Sequence, residues 1–396
     1  MTTSNAAHAT RTRRLRFPRL RHFFLEYLLA LPAGAALALM WSALDPERYY
    51  RFAASASFLT NDVAMVFFFG LITKEVVEAT APGGALHPWR RAALAVVASF
   101  AATVLTLALF RLFVRVFGEP MLERGWASVL AVDVAFGYFV ARLIFGRTAM
   151  VPFFLVVALA SNAFAFGGLA ASEPPRDVHP WPLFGFLGLG MAAAYAGRLR
   201  EVKAPWYYLL VAAPLAWVGL YLGGGPPALA LLAIVPFLPT GRRDPGFFVD
   251  ASQHASDPLN RLELVCRHPA QIALFLFGLI NAGVDRGSLE LGVLALPLAM
   301  LLGRPAGFLL GLVIARAMGL HPPVGTGARD LAVLGITTAI GFTMTLFFAT
   351  AALGPGPLLM ELRAGAFLTL VSALAALGSA RLLHVGRFSA RVAQSA

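Results

Sequence analysis

Apolar runs of membrane-spanning length recur along the chain from Phe23 to Leu383, with short polar breaks between them. A hydrocarbon layer about 30 Å thick needs about 20 such residues per helix, so the pattern predicts helices that cross a bilayer. The predicted spans are twelve: Phe23–Ala43, Phe58–Thr80, Ala92–Phe117, Trp126–Phe145, Ala149–Ala170, Trp181–Ala196, Trp206–Leu222, Pro226–Pro239, Ala270–Gly283, Leu289–Met318, Leu331–Leu353 and Ala364–Leu383. The longest polar connector, Gly241 to His268, separates eight spans from four, and the other breaks are too short for a soluble domain. The expected organisation is a tail over residues 1–22, one membrane domain over 23–384 and a tail over 385–396. The fold class read from this pattern is an all-α integral membrane protein.

Composition agrees with that reading, since 59% of the 396 residues are apolar and only 13% are charged. The net charge of +12 sharpens it further. Basic residues crowd the N-terminus (Arg11, Arg13, Arg14, Arg16, Arg19, Arg21) and then alternate connectors: Arg90/Arg91, Arg142/Arg147, Arg198/Arg200/Lys203, Arg242/Arg243/Arg261/Arg267, Arg316/Arg329, and Arg387 with Arg391. They form no stripe of the kind that tracks nucleic acid, so nucleic acid is not an expected partner. The positive-inside rule instead puts both termini in the cytoplasm, with an even number of spans. The N-terminal tail reads as a topological anchor rather than a cleaved signal, because the apolar stretch after it is long enough to span. The single cysteine, Cys266, excludes an intramolecular disulfide and reads as an inert thiol in a basic cytoplasmic connector.

An ionisable side chain inside a span needs a partner or a water-filled cavity, which makes each one a functional candidate. The candidates are Asp62 at the start of the second span, Lys74 and Glu75 near its end, Asp133 in the fourth and Arg304 in the tenth. Asp133, set in Ala131-Val132-Asp133-Val134-Ala135-Phe136, leads because an enclosed carboxylate can exchange a proton for a hard cation; the competing reading is a capping aspartate at a helix break. Arg304 stays charged and cannot carry a proton, so it is read as a counter-ion for Asp133 or for broken-helix carbonyls, the competing reading being a side chain that snorkels to an interface. Asp62, Lys74 and Glu75 lie near helix ends, where solvation or dipole compensation competes evenly with function. Asn281, Ser161, Asn162, Thr343 and Thr345 read first as helix-bridging polar groups. Gly335, Gly341, Thr337 and Thr338 make the eleventh span able to break, as Asp133 does the fourth. No phosphate-binding glycine loop, Cys/His metal cluster or nucleophile with a paired base is present, so neither an enzyme nor a cofactor is expected.

Several motifs carry a resemblance to a known family. Asn61-Asp62-Val63-Ala64-Met65-Val66-Phe67-Phe68 with Gly70-Leu71, then Gly125-Trp126 and Asp133-Val134-Ala135-Phe136, come in the order and spacing of the NhaA-type sodium/proton antiporters. Arg261-Leu262-Glu263, His268-Pro269, Asn281-Ala282-Gly283-Val284, Gly303-Arg304-Pro305-Ala306-Gly307 and Gly341-Phe342-Thr343-Met344-Thr345 continue the match, so the likeness covers about Phe23 to Leu383. The resemblance implies twelve spans, an inverted repeat of the third to fifth and tenth to twelfth spans, interrupted fourth and eleventh helices, and exchange of cytoplasmic sodium or lithium for external protons across a bacterial inner membrane. It also implies that Asp133 stands at the family's fourth-span aspartate, that Arg304 stands where the family has a lysine, and that Glu263 belongs to the pH response, for which Glu75 and Asp62 are the further candidates.

The chain departs from the family where the ion is held. The family's adjacent fifth-span aspartates are absent; Ala158-Leu159-Ala160 leads into Ser161-Asn162-Ala163-Phe164. Val132 replaces a threonine, Ile72-Thr73-Lys74-Glu75 rewrites the cytoplasmic cluster, and the Asp45–Arg51 connector is too short for the strand hairpin of family dimers, so a homodimer is not implied. The expected ion and proton ligands are therefore Asp133, as the sodium-binding carboxylate, with Asn162, Ser161 and backbone carbonyls, and acids placed at Ala163 and Phe164 together with Arg304→Lys are expected to restore family behaviour. Two other readings remain open: a proton-coupled carrier of an organic anion held by Arg304, and a sensor or assembly subunit that does not transport.

Overall fold

A computed structural model describes residues 30–84, 86–146, 148–172, 180–239, 258–283, 291–353 and 356–389. The N-terminal tail, residues 23–29 of the first expected span, Arg147, Arg242, Arg243 and Arg391 lie outside them.

Every regular element among the described residues is helical. In chain order they are α1 Ala30–Leu44, α2 Pro46–Thr80, α3 Trp89–Val116, α4 Pro120–Val129, α5 Val134–Phe145, α6 Met150–Ser172, α7 Pro180–Leu199, α8 Pro205–Leu222, α9 Pro227–Phe237, α10 Pro258–Asn281, α11 Leu291–Ala317, α12 Ala328–Thr337, α13 Phe342–Ala352, α14 Pro357–Leu368 and α15 Val371–Leu382. Seven of the described helices are long and apolar enough to cross a membrane, or nine if each bent pair counts as one span. The bent pairs are α4 with α5, turned by 57° at Leu130–Asp133, and α12 with α13, turned by 40° at Thr338–Gly341.

Several expected boundaries move. The Asp45–Arg51 stretch is the first turns of α2 rather than a connector: Asp45 caps the helix by accepting the Arg48 amide at 3.1 Å, and Pro46 fits the first helical position, where no amide is needed. Asn61 and Asp62 consequently sit inside a 35-residue helix, on a π-helical turn over Leu59–Ala64, and not at a helix start. α10 begins at Pro258, twelve residues before the expected Ala270, so Arg261, Glu263, Cys266 and Arg267 are helical. Cys266 is fully buried rather than in a connector. The cause is legible afterwards, because Leu259, Leu262 and Cys266 continue the apolar face of α10 at helical spacing. Arg142 is likewise inside α5, 4% exposed, with Nη1 donating to the Gly146 carbonyl at 3.3 Å.

Close helix packing rests on small residues, as expected where lipid removes the hydrophobic drive between helices. Gly303, Gly307 and Gly311 form a ridge on α11 against Thr106, Ala102 and Ala98 of α3; a β-carbon on these glycines would lie 2.6–2.7 Å from the opposing Cα atoms. That ridge sets the path of α11 and, with it, the direction in which Arg304 enters the interior.

Candidate functional site

The site is built from two places where helices stop inside the protein. A helix end leaves backbone groups without partners and carries a partial charge, positive at the N-terminus and negative at the C-terminus. Each break therefore needs charged or polar side chains around it.

Asp133 is the N-cap of α5 and is fully buried. Its Oδ1 accepts the Phe136 amide at 2.8 Å, within its own helix. Its Oδ2 accepts the Thr343 amide at 2.7 Å, from the first turn of α13. One carboxylate thus caps two helix N-termini from different broken pairs. The backbone adds a third link, the Asp133 amide donating to the Ile340 carbonyl at 2.7 Å. Thr369, in the turn between α14 and α15, completes the α13 start by accepting the Gly341 and Phe342 amides at 3.2 and 3.0 Å.

Arg304 serves the opposite pole. It is fully buried on α11, and its Nη2 donates to the Val129 carbonyl at 3.4 Å and also to the Leu130 carbonyl, at the C-terminal end of α4. Nη1 donates to Ser161 Oγ at 2.9 Å; Ser161 bonds Ser99 Oγ at 2.7 Å, and Ser99 donates to the Val157 carbonyl at 3.1 Å. Thr345 Oγ1 donates to the Ser128 carbonyl at 3.0 Å, satisfying another group of the same helix end. Asn162 holds the unwound segment itself: Oδ1 accepts the Val132 amide at 3.0 Å and Nδ2 donates to the Val132 carbonyl at 3.1 Å.

The structure brings Asp133, Ser161, Asn162, Arg304, Thr343 and Thr345 to one neighbourhood. It does not pair Asp133 with Arg304: no hydrogen bond or ion pair joins them, and each faces the helix pole of opposite sign. Asp62, Glu75 and Glu263 have no bond into this group. Ala163 is exposed and Phe164 stacks edge-on against Phe100 at 5.3 Å, so the two residues expected to accept restoring acids point away from the break. A helix turns 100° per residue, and the positions facing the break and Arg304 are Ser161 and Asn162.

A second charged cluster joins α2 to α10. Lys74 is fully buried, with Nζ 2.6 Å from Glu263 Oε2 and 3.0 Å from Glu78 Oε1. Lys74 is therefore not a solvated residue at a helix end. Glu78 was missing from the sequence-derived set although its i,i+4 spacing to Lys74 announces the pair. Buried Asn260, Glu263, Arg267 and Gln271 lie along α10 at helical spacing, a polar stripe visible in the sequence once the helix is extended back to Pro258. Asp62 stands apart; its backbone carbonyl accepts Trp217 Nε1 at 2.7 Å, while the adjacent Asn61 accepts Asn281 Nδ2 at 2.9 Å. Ser99 and Thr369 were also missed, being single hydroxyls with no local signature. Among the described residues no three His, Cys, Asp or Glu side chains gather as a metal centre.

Long apolar helices in series, with a buried acid and a buried base held at the poles of broken helices, define a multi-pass membrane protein whose interior is organised around charge. The Na+/H+ antiporter 1 family model matches residues 36–383, and the chain belongs to this NhaA-type family. The Na(+)/H(+) antiporter NhaA of Geobacter sulfurreducens is 32% identical over 371 residues, 91% of this chain and 97% of that protein. That of Geobacter metallireducens is 35% identical over 337 residues, 83% and 88% of the two chains. Na(+)/H(+) antiporter NhaA 1 of Pelobacter propionicus is 31% identical over 373 residues, 92% and 98%.

Proposed function

We propose that this chain is a secondary sodium/proton antiporter of the inner membrane, crossing it twelve times with both termini in the cytoplasm, and exchanging cytoplasmic sodium or lithium for external protons through Asp133. The observation that carries the reading is a fully buried carboxylate shared by two helix breaks. When ionised, Asp133 offers oxygen to a small hard cation, and the unwound backbone between α4 and α5 supplies carbonyls of the same class. When protonated, it offers neither the charge nor a free pair of oxygens, so cation and proton compete for one group. Ser161 and Asn162 border that group, and Thr343 and Thr345 belong to the opposing break. Arg304 fixes the charge of the α4 end and does not exchange a proton. With one acid at the crossing, the exchange is one cation for one proton. The cluster of Lys74, Glu78 and Glu263, with Glu75, is assigned to the response to pH, and so is Asp62 on its π-turn.

Everted vesicles carrying a pH-sensitive dye test the reading. Sodium or lithium should dissipate a preformed proton gradient, and Asp133→Asn should stop it; a gradient indifferent to both cations throughout the neutral range would end the proposal. One observation favours a second reading on the same scaffold, a proton-coupled carrier of an organic anion: no described carboxylate lies within ion-pair distance of buried Arg304. Dissipation by organic anions alone would select it, and none by any solute would leave a non-transporting subunit.

A further inference from the structure

The N-cap position of α13 is Gly341, which has no side chain to cap with. No larger residue fits there, since a β-carbon would lie 2.5 Å from both Met300 Cε and Thr345 Oγ1. The amides that open α13 are therefore satisfied from outside the helix. Two side chains from different elements divide them. Asp133 Oδ2 accepts the Thr343 amide at 2.7 Å, and Thr369 Oγ1 accepts those of Gly341 and Phe342 at 3.2 and 3.0 Å.

Thr369 is itself held fast. It is fully buried in the turn between α14 and α15, where the backbone tightens: the Ser372 amide bonds the Thr369 carbonyl at 2.9 Å and the Ala373 amide the Leu370 carbonyl at 3.0 Å, each three residues back. A hydroxyl has one proton and two lone pairs. Here the proton goes to the Ala366 carbonyl at 2.6 Å and the lone pairs to the two amides, so every bonding direction is used and the oxygen has no freedom to turn. The hydroxyl also stays neutral throughout the range in which a carboxylate gains or loses its proton. One helix end thus has two caps of different kinds, one fixed and neutral, the other ionisable.

An ionised carboxylate has about four lone-pair sites, and the bonds to Thr343 and Phe136 occupy two of Asp133's. Without Thr369, two more buried amides of the same helix end would be left to that carboxylate. We propose that Thr369 is a positioning residue for Asp133: it holds the start of α13 in place whatever the charge of the acid, and so keeps oxygen lone pairs of Asp133 free for a cation. The second half of this rests on the antiport reading.

Thr369→Val in the full-length protein, which exchanges the hydroxyl for a methyl group, tests both halves. Loss of the acceptor for two buried amides should lower the midpoint of thermal unfolding by about 2–4 °C. The fall should be larger in the Asp133→Asn background, where both caps are impaired; an unchanged midpoint, or equal falls in the two backgrounds, overturns the shared cap. Sodium-driven proton flux in proteoliposomes should show a KM for sodium raised about fivefold, the factor equivalent to one net hydrogen bond, with little change in maximal rate. Thr369→Ser keeps the oxygen and should restore midpoint and KM together. Thr350→Val removes a hydroxyl that bonds only carbonyls of α13 itself, and should leave the KM at the parent value. A KM unmoved in Thr369→Val, not recovered in Thr369→Ser, or raised equally by Thr350→Val overturns the positioning role. Should the valine variant not fold, Thr369→Cys, whose sulfur is a weak acceptor, should give an intermediate KM, and a parental one overturns the role. A parent chain without sodium-driven flux removes the antiport reading and the second half with it, while the midpoints still decide the first.

Discussion

Thr343 donates its backbone amide to Asp133 across the meeting of two broken helices, at 2.7 Å, while Phe136 donates to the other carboxylate oxygen at 2.8 Å. The acid therefore belongs to both breaks at once, and its charge state is tied to how closely α5 and α13 approach. Removing the charge of the carboxylate would weaken one or both amide bonds, because hydrogen bonds to a charged acceptor are the stronger ones. In Asp133→Asn, one oxygen is kept and the other becomes an amide that faces the Thr343 or Phe136 N–H. Loss of one charged hydrogen bond should destabilise the protein by about 1.5–3 kcal/mol. Sodium-dependent dissipation of the proton gradient should vanish together with the fall in thermal stability. A variant as stable as the parent would show that the bridge contributes nothing to holding the breaks together.

Asn162 contributes to the same site without offering a free ligand in this arrangement. Its carboxamide matches both polar groups of Val132, donor to carbonyl and acceptor to amide, as a neighbouring strand would. Asn162→Ala removes the partner of both backbone groups of Val132, and two net hydrogen bonds predict a loss of about 2 kcal/mol. Asn162→Asp keeps the acceptor, so it should lose less than the alanine variant. Denaturation of the two variants in the same detergent compares them; equal losses would mean that the Val132 amide is satisfied by another group.

The buried cluster on α2 and α10 makes a different demand. Lys74 pairs with two carboxylates, of which Glu263 is 4% exposed and Glu78 12%. Lys74→Met removes the ammonium that Glu78 and Glu263 share in a buried setting and should cost about 3–5 kcal/mol. Replacing Glu78 and Glu263 by Gln in the same chain should recover most of that loss, because neutral amides do not need the ammonium. If the triple variant is as unstable as Lys74→Met, packing rather than charge accounts for the effect. The midpoint of thermal unfolding separates these outcomes, and the pH profile of sodium-driven flux shows whether the cluster also sets the response to pH.

Much of this was readable along the chain, and the failures have physical causes. Asp133 could be singled out because a carboxylate flanked by Val132 and Val134 has few reasons to exist, and the break in the following span was announced by Gly341 among hydroxyls. The partner of Arg304 could not be read, since a cation at a helix C-terminus bonds carbonyls that every sequence possesses. Apolar density alone puts the starts of α2 and α10 too late, because Asp45 and Pro258 mark those starts through capping and fixed φ. That error hid Glu263 in a connector and separated it from Lys74, 189 residues earlier in the chain. The facing of Ser161 and Asn162 depended on helical phase, where an offset of two residues rotates a side chain by about 200°.

That phase has a direct functional test. Ser161 touches Arg304 and Asn162 touches the Val132 peptide, whereas Ala163 is exposed and Phe164 packs against Phe100. In a chain carrying Ser161→Asp, Asn162→Asp and Arg304→Lys, two further acids face the break, and the ammonium can pair with the first. A protonated Asp at position 162 can still donate to the Val132 carbonyl, so proton and cation would alternate there as proposed for Asp133. Each added acid that exchanges raises the number of protons moved per cation, and the cycle then carries net charge. Sodium-driven flux in proteoliposomes should become sensitive to an imposed membrane potential, where the parent chain, under the proposed one-for-one exchange, should be indifferent. The matched chain with Ala163→Asp and Phe164→Asp should gain no such sensitivity, and its exposed acid should lower the yield of inserted protein because a charge in hydrocarbon costs about 2.5–3.5 kcal/mol. A potential-sensitive parent, or a gain from the second pair instead of the first, would show that the ion is held somewhere other than the crossing of α4–α5 with α12–α13.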